Sequence, residues 1–190
     1  MRRLDHPIDD YVAVDTFSGF VTEQFDADAE LGTPVDFQRG FSNNSRGLVA
    51  RTMRYYGLNE VRVVQGDIVT MPDELLPKQI KLCLMDVDLA VPIEVGLERV
   101  MPRLLPGGIV LVDDCDEDTP WRGARVGYER FCQAHDMREK YEAGFGVLSS
   151  TAKRELGFVK YIILPSYFCA RAARAARGRS ASRNPRSIRG

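Results

Sequence analysis

A chain of 190 residues, 44 % apolar and 28 % charged, suits one soluble globular domain with a real core and leaves little room for two. The net charge of −1 hides an asymmetry: seven of the 26 basic residues are arginines within 171–190, where there is no acid, so 19 basic residues face 27 acidic ones elsewhere, a net of −8. No run reaches eighteen apolar residues, and MRRLDHPIDDYV lacks a signal-peptide core, which excludes a spanning helix of that kind and points to a cytoplasmic protein.

In chain order, YVAV (11–14) is a short β-prone run ending at Asp15. A turn-like TFSGF follows, then an acidic stretch to about residue 36 that reads as a long loop or a short helix. SNNSRGLVARTMRYYG (42–57) opens on cap-capable residues and stops at Gly57. It predicts a helix with Leu48, Val49, Met53 and Tyr56 near one face. VRVVQ (61–65) reads as a strand running into Gly66 and Asp67. Residues 71–79 hold two prolines and form a connection or short helix.

IKLCLM (80–85) is apolar without clean alternation, which suits a central parallel strand covered on both faces. Ile93, Leu97, Val100, Met101 and Leu104 then recur at helical spacing. Pro92 fits the first turn, Pro102 shortens or kinks the helix, and Gly107–Gly108 mark its end. IVLV (109–112) is another buried strand, and 121–135 reads as a helix with Ala124, Tyr128, Phe131 and Cys132 inward. Two late runs, FGVLSS (145–150) and GFVKYIIL (157–164), suit an antiparallel pair at a sheet edge. The sum is a Rossmann-like α/β domain over 1–168, an open and mostly parallel sheet with helices on both faces, and a basic tail over 169–190.

In such sheets ligands bind beyond the carboxyl ends of the strands. Asp15, Asp67, Asp86 and Asp113 each follow a predicted strand, and two of them open pairs, Asp86 with Asp88 and Asp113 with Asp114. One strand-end acid is often only a turn residue, but four on one rim are harder to assign to turns. Clustered carboxylates raise one another's pKa unless a cation or a donor joins them. An all-oxygen set suits magnesium or manganese. Asp116, Glu117 and Asp118 read as solvated loop. The four cysteines show no CxxC and read as inert thiols. His135 reads as a surface or helix-end residue, and His6 lies near the terminus.

DTFSGF, VVQGDIVTMP, LMDVDLAVPIEVGLERVMPRLLPGGIVLVDDCD and WRGARVGYERFC, in this order and spacing, resemble the class I S-adenosylmethionine-dependent methyltransferases of the macrocin O-methyltransferase type. The resemblance covers about residues 10–165. It implies methylation of a small-molecule hydroxyl, such as one on a sugar. It further implies S-adenosyl-L-methionine as cofactor, with Asp15 and Asp67 beside it. Mg2+ would be held by Asp86, Asp113 and Asp114, and Asp86 is the expected catalytic carboxylate. Where that family carries an aromatic and a Tyr-x-x-Thr-like pattern after DVDL, this chain has Ala90, Val91, Pro92 and Ile93. The family's first strand and glycine-rich loop have no counterpart in the ten residues before Tyr11, so the domain reads as incomplete and starting at the second strand.

Other readings stay open. MDVDLAV with VDD also resembles the nucleophile and magnesium motifs of haloacid-dehalogenase-type phosphatases, though only 24 residues separate Asp88 from Asp113. DxD alone is shared with metal-dependent glycosyltransferases. A non-catalytic paralogue acting as a binding protein is the main alternative. Nucleic acid is not an expected partner, because the arginine tail is not interleaved with aromatic residues beyond Tyr167 and Phe168. Homo-oligomer formation is open.

Overall fold

The structure is a computed structural model that describes residues 11–150 and the backbone of 161–165. The short β-branched runs form β1 (Tyr11–Asp15) and β2 (Arg62–Gln65), and the longer apolar runs form β3 (Ile80–Asp86) and β4 (Leu104–Val112). Three further strands follow: β5 (Tyr141–Glu142), β6 (Phe145–Ser149) and β7 (Tyr161–Pro165). They make one sheet in the order β2-β1-β7-β3-β4-β6-β5. The first five in that order are mutually parallel, and β6 runs antiparallel to β4 and β5.

The antiparallel edge pair expected near the C-terminus is present, but its members differ from the sequence reading. FGVLS pairs with β4 and with β5. The second run instead places β7 in the middle of the sheet, with Ala13 opposite Ile163 and Asp86 opposite Pro165. Between β1 and β3 there are two rows of backbone N–H and C=O groups that must find partners, and an unbroken apolar run such as YIIL suits a covered central position better than an edge.

Among the described residues, four helices flank the strands: α1 (Thr22–Ala29), α2 (Arg46–Tyr55), α3 (Ala90–Val100) and α4 (Arg122–Ala134). On one face Ile93, Leu97 and Val100 of α3 pack with Cys83, Met85, Val110 and Val112, all at 0 % exposure. Burying an aliphatic side chain of this size contributes about 1.5–3 kcal/mol, so this seam adds several such increments to the fold. Ala124, Tyr128, Phe131 and Cys132 of α4 join the same core, as their spacing predicts.

Val63 and Val64 point to opposite faces of β2. Val64 belongs to the α3 core, whereas Val63 packs with Phe17 and with Val49 and Met53 of α2. Helices therefore lie on both faces. The Ser45 hydroxyl accepts the Leu48 N–H at 3.2 Å and starts α2 where cap chemistry predicts. Only Val49 and Met53 of its expected stripe are buried; Leu48 and Tyr56 are exposed.

Two further expectations are corrected. Gly107 and Gly108 lie inside β4, because α3 gives way to a 3-10 turn over Met101–Arg103 and the strand starts at Leu104. Pro102 accounts for that early stop, since it cannot donate within a helix. The β3 strand is fully covered on the α3 face only. On the other face Leu82, Leu84 and Leu111 are half-buried, and Ile109 is 39 % exposed. The boundary expected at 168–169 and the arginine tail lie outside the described residues.

Candidate active site

Because β1, β2, β3 and β4 are parallel, their carboxyl ends share one rim, and Asp15, Asp67, Asp86 and the Asp113–Asp114 pair all reach it. Asp15 closes β1. Its Oδ1 accepts the Phe17 N–H at 2.7 Å, and Phe17 turns the chain away with φ 54°. Burial pushes the Asp15 carboxyl above its usual range, and the hydrogen bonds from Phe17 and Thr16 offset part of that.

Asp67 follows β2 and Gly66. Its Oδ1 accepts the Val69 N–H at 2.9 Å, while Oδ2 accepts the Gln24 side-chain amide at 2.9 Å and the Thr70 hydroxyl at 3.2 Å. Three donors thus hold this carboxylate in one orientation.

The ends of β3 and β4 bring three carboxylates together. The strand stops at Asp86, and the Leu89 N–H donates to the Val87 carbonyl at 2.7 Å, closing a three-residue turn around Asp88. Asp88 has φ 60° and Asp114 has φ 55°. Aspartate tolerates this left-handed region better than most residues. One carboxylate oxygen from each of Asp86, Asp88 and Asp114 lies within 4.8 Å of the others. Asp86 and Asp88 are buried, at 5 % and 1 % exposure. Asp113 is not one of the three. Its N–H donates to the Met85 carbonyl at 2.9 Å, extending the β3–β4 ladder, and its Oδ1 accepts the Asp114 N–H at 2.9 Å.

Burial and then the neighbouring Asp113 charge push the Asp114 carboxyl up, against hydrogen bonds with Asp88 and Thr119. The Thr119 hydroxyl sits 3.2 Å from Asp114 Oδ1 and also accepts the Trp121 N–H at 3.2 Å. Trp121 in turn packs on Phe20, Phe37 and Phe41, with centroids 5.5, 4.8 and 6.1 Å away.

A half-open cavity lies at this rim and joins its parts. Asp15, Asp67 and Asp86 line it together with Leu89, and Phe20 and Phe41 contribute aromatic rings. Asp86 therefore belongs both to the cavity wall and to the carboxylate trio.

Several residues had no role in the sequence reading. Gln24, Thr119 and Phe41 lay in no motif, and Phe20 and Trp121 lay inside matched motifs without a role of their own. Asp28 sits at 1 % exposure, and its Oδ1 accepts the Ala90 N–H at 2.7 Å at the start of α3. A polar, acidic stretch gave no sign that one of its acids is buried. Cys83, Cys115 and Cys132 are buried, and burial pushes all three thiols up, Cys115 to about 12. They are poor nucleophiles in the folded chain. His135 is a surface residue paired with Glu98 at 2.6 Å, and Asp116, Glu117 and Asp118 are exposed. Among the described residues no helix is long and apolar enough to cross a membrane.

No protein-family model matches the chain, and no curated protein matches it. Solved structures do. The fold is similar to that of the O-methyltransferase NovP, with a TM-score of 0.61 and 19 % identity, over 74 % of this chain and 60 % of that one. It is similar to that of CalS11, a calicheamicin methyltransferase, with a TM-score of 0.61 and 21 % identity, over 76 % of this chain and 62 % of that one. The chain thus spans about three-fifths of the length of each of these proteins. The α/β fold expected from the resemblance to macrocin-type O-methyltransferases is the fold observed, and it is shared with these two methyltransferases.

Proposed function

We propose that this chain is an S-adenosylmethionine-dependent O-methyltransferase that methylates a hydroxyl group of a small molecule, with a sugar as the favoured acceptor class. The observation that carries the reading is one cavity lined by Asp15, Asp67 and Asp86, in which Asp86 also belongs to the carboxylate trio. Cofactor-binding and hydroxyl-activating groups would then border the same space, as an in-line displacement demands.

Asp15 is suited to accept hydrogen bonds from ribose hydroxyls, because its half-buried carboxylate ends a strand at the cavity wall. Asp67 is suited to the adenine amine. The trio fits a hard divalent cation, since all three donors are carboxylate oxygens within 4.8 Å. Asp86, Asp88 and Asp114 would hold it, and a magnesium ion there would lower the pKa of an acceptor hydroxyl. Asp113 contributes from behind by orienting the Asp114 backbone. Asp86, facing the cavity, is placed to take the hydroxyl proton.

The reading is tested by incubating the protein with S-adenosylmethionine, magnesium and a panel of hydroxylated small molecules rich in sugars, following S-adenosylhomocysteine. Magnesium-dependent product with a subset of acceptors, lost in Asp86→Asn, is the expected result. A folded chain that binds the cofactor but never turns it over would favour the non-catalytic binding protein instead.

A further inference from the structure

Gln24 reaches Asp67 from 43 residues earlier in the chain. The other two donors to that carboxylate, the Val69 N–H and the Thr70 hydroxyl, belong to the turn that Asp67 itself opens, and arise wherever that turn forms. The Gln24 bond is the one that requires a second element. An ionised carboxylate only accepts, so the amide nitrogen of Gln24 must be the atom that faces it. Gln24 also lines the cavity, so its bond is made at the wall and not behind it.

The helix that carries Gln24 is itself pinned. Four residues on, and so on the same side of α1, Asp28 accepts the Ala90 N–H at 2.7 Å and the Thr33 hydroxyl at 2.5 Å. Thus α1 is anchored to the start of α3 by Asp28 and reaches the end of β2 with Gln24. Its position is fixed independently of the turn at Asp67.

We propose that Gln24 is a positioning residue for nucleobase recognition: it holds Asp67 Oδ2 and so leaves the acceptor site that Oδ1 keeps beside the Val69 N–H for a base bearing an exocyclic amine. This rests on the reading of the cavity as a cofactor pocket and adds a residue that determines its base specificity. Adenine presents such an amine. Hypoxanthine, with a carbonyl at the same place, presents an acceptor to an acceptor.

The test compares S-adenosylhomocysteine with S-inosylhomocysteine, by calorimetry, on the full chain and on Gln24→Met, which keeps the side-chain volume and removes the donor. Gln24→Glu, which sets a second carboxylate against Asp67, is the companion variant. The wild type is expected to prefer the adenosyl ligand. Gln24→Met should weaken that ligand about tenfold and leave the inosyl ligand nearly unchanged, and Gln24→Glu should weaken the adenosyl ligand further. Unchanged affinities for both ligands in Gln24→Met would overturn the role given to Gln24 while leaving the pocket intact. Equal loss for both ligands would also overturn it, because Gln24 would then only support the wall. A wild-type chain, folded by circular dichroism, that binds neither ligand would remove the cofactor reading and this role with it.

Discussion

The Asp28 carboxylate on α1 accepts the Ala90 N–H at 2.7 Å, so one helix supplies the N-terminal cap of another. No side chain within the Leu89 cap region does so. The start of α3 directly follows Asp86 and Asp88, so the cap also steadies the turn that carries two of the clustered carboxylates. Asp28→Ala would leave the Ala90 N–H and the Thr33 hydroxyl buried without this partner, at a cost of about 1–3 kcal/mol. A fall in melting temperature of about 2–4 °C for each kcal/mol is expected. An unchanged melting temperature would contradict the cap.

Gly127 lets α4 approach α3. A Cβ there would stand 2.5 Å from the Ala90 carbonyl and 2.9 Å from Ile93 Cβ, and both are fixed by a packed core. Glycine to alanine within a helix normally stabilises by about 1 kcal/mol. Here the sign should invert, and Gly127→Ala should lower the denaturation midpoint. Gly123→Ala should do the same, since its Cβ would collide with the anchored Asp28 carboxylate. Stabilisation by either would show that the helices can separate without cost.

Asp15 gives a pH signature. Its folded-state pKa is raised above 3.8 by burial. An acid raised on folding contributes stability that is fully present below its unfolded pKa and lost as pH rises through the folded value. Asp15→Asn has no charge to bury and keeps an oxygen for the Phe17 N–H. The variant should therefore gain stability relative to wild type as pH climbs from about 3.8 through the acid range, with the gap level near neutrality. Parallel melting curves across that range would count against desolvation of this carboxylate on folding.

The carboxylate trio predicts stabilisation by divalent ions. At a free magnesium or manganese concentration of 100 times Kd, binding to the folded state alone adds about 2.7 kcal/mol. Asp86→Asn, Asp88→Asn and Asp114→Asn should each abolish most of the thermal shift, and Asp113→Asn should retain most of it. A shift lost in Asp86→Asn and Asp113→Asn but kept in Asp88→Asn would place the ion between Asp86 and Asp113 and exclude Asp88 from it.

Much of the scaffold was legible because it depends on local periodicity. The inward residues of α4 and the strand stops at Asp15 and Asp86 follow from spacing and from where apolar runs end. The place of β7 was not legible, since the apolar run YIIL favours a covered position without saying which one, and the backbone of β1 and β3 that it satisfies is far away in sequence. Nor was the choice of Asp88 over Asp113 for the trio. It depends on left-handed backbone at Asp88 and Asp114, which no period encodes. The Gln24–Asp67 contact joins two elements that meet only once the sheet has formed.

The most direct test of a cofactor site at this rim is calorimetric titration of the folded 190-residue chain with S-adenosylmethionine, beside Asp67→Asn. Saturable binding of one cofactor per chain, weakened by the substitution, is the predicted result. No heat from a chain that circular dichroism shows to be folded would contradict the site.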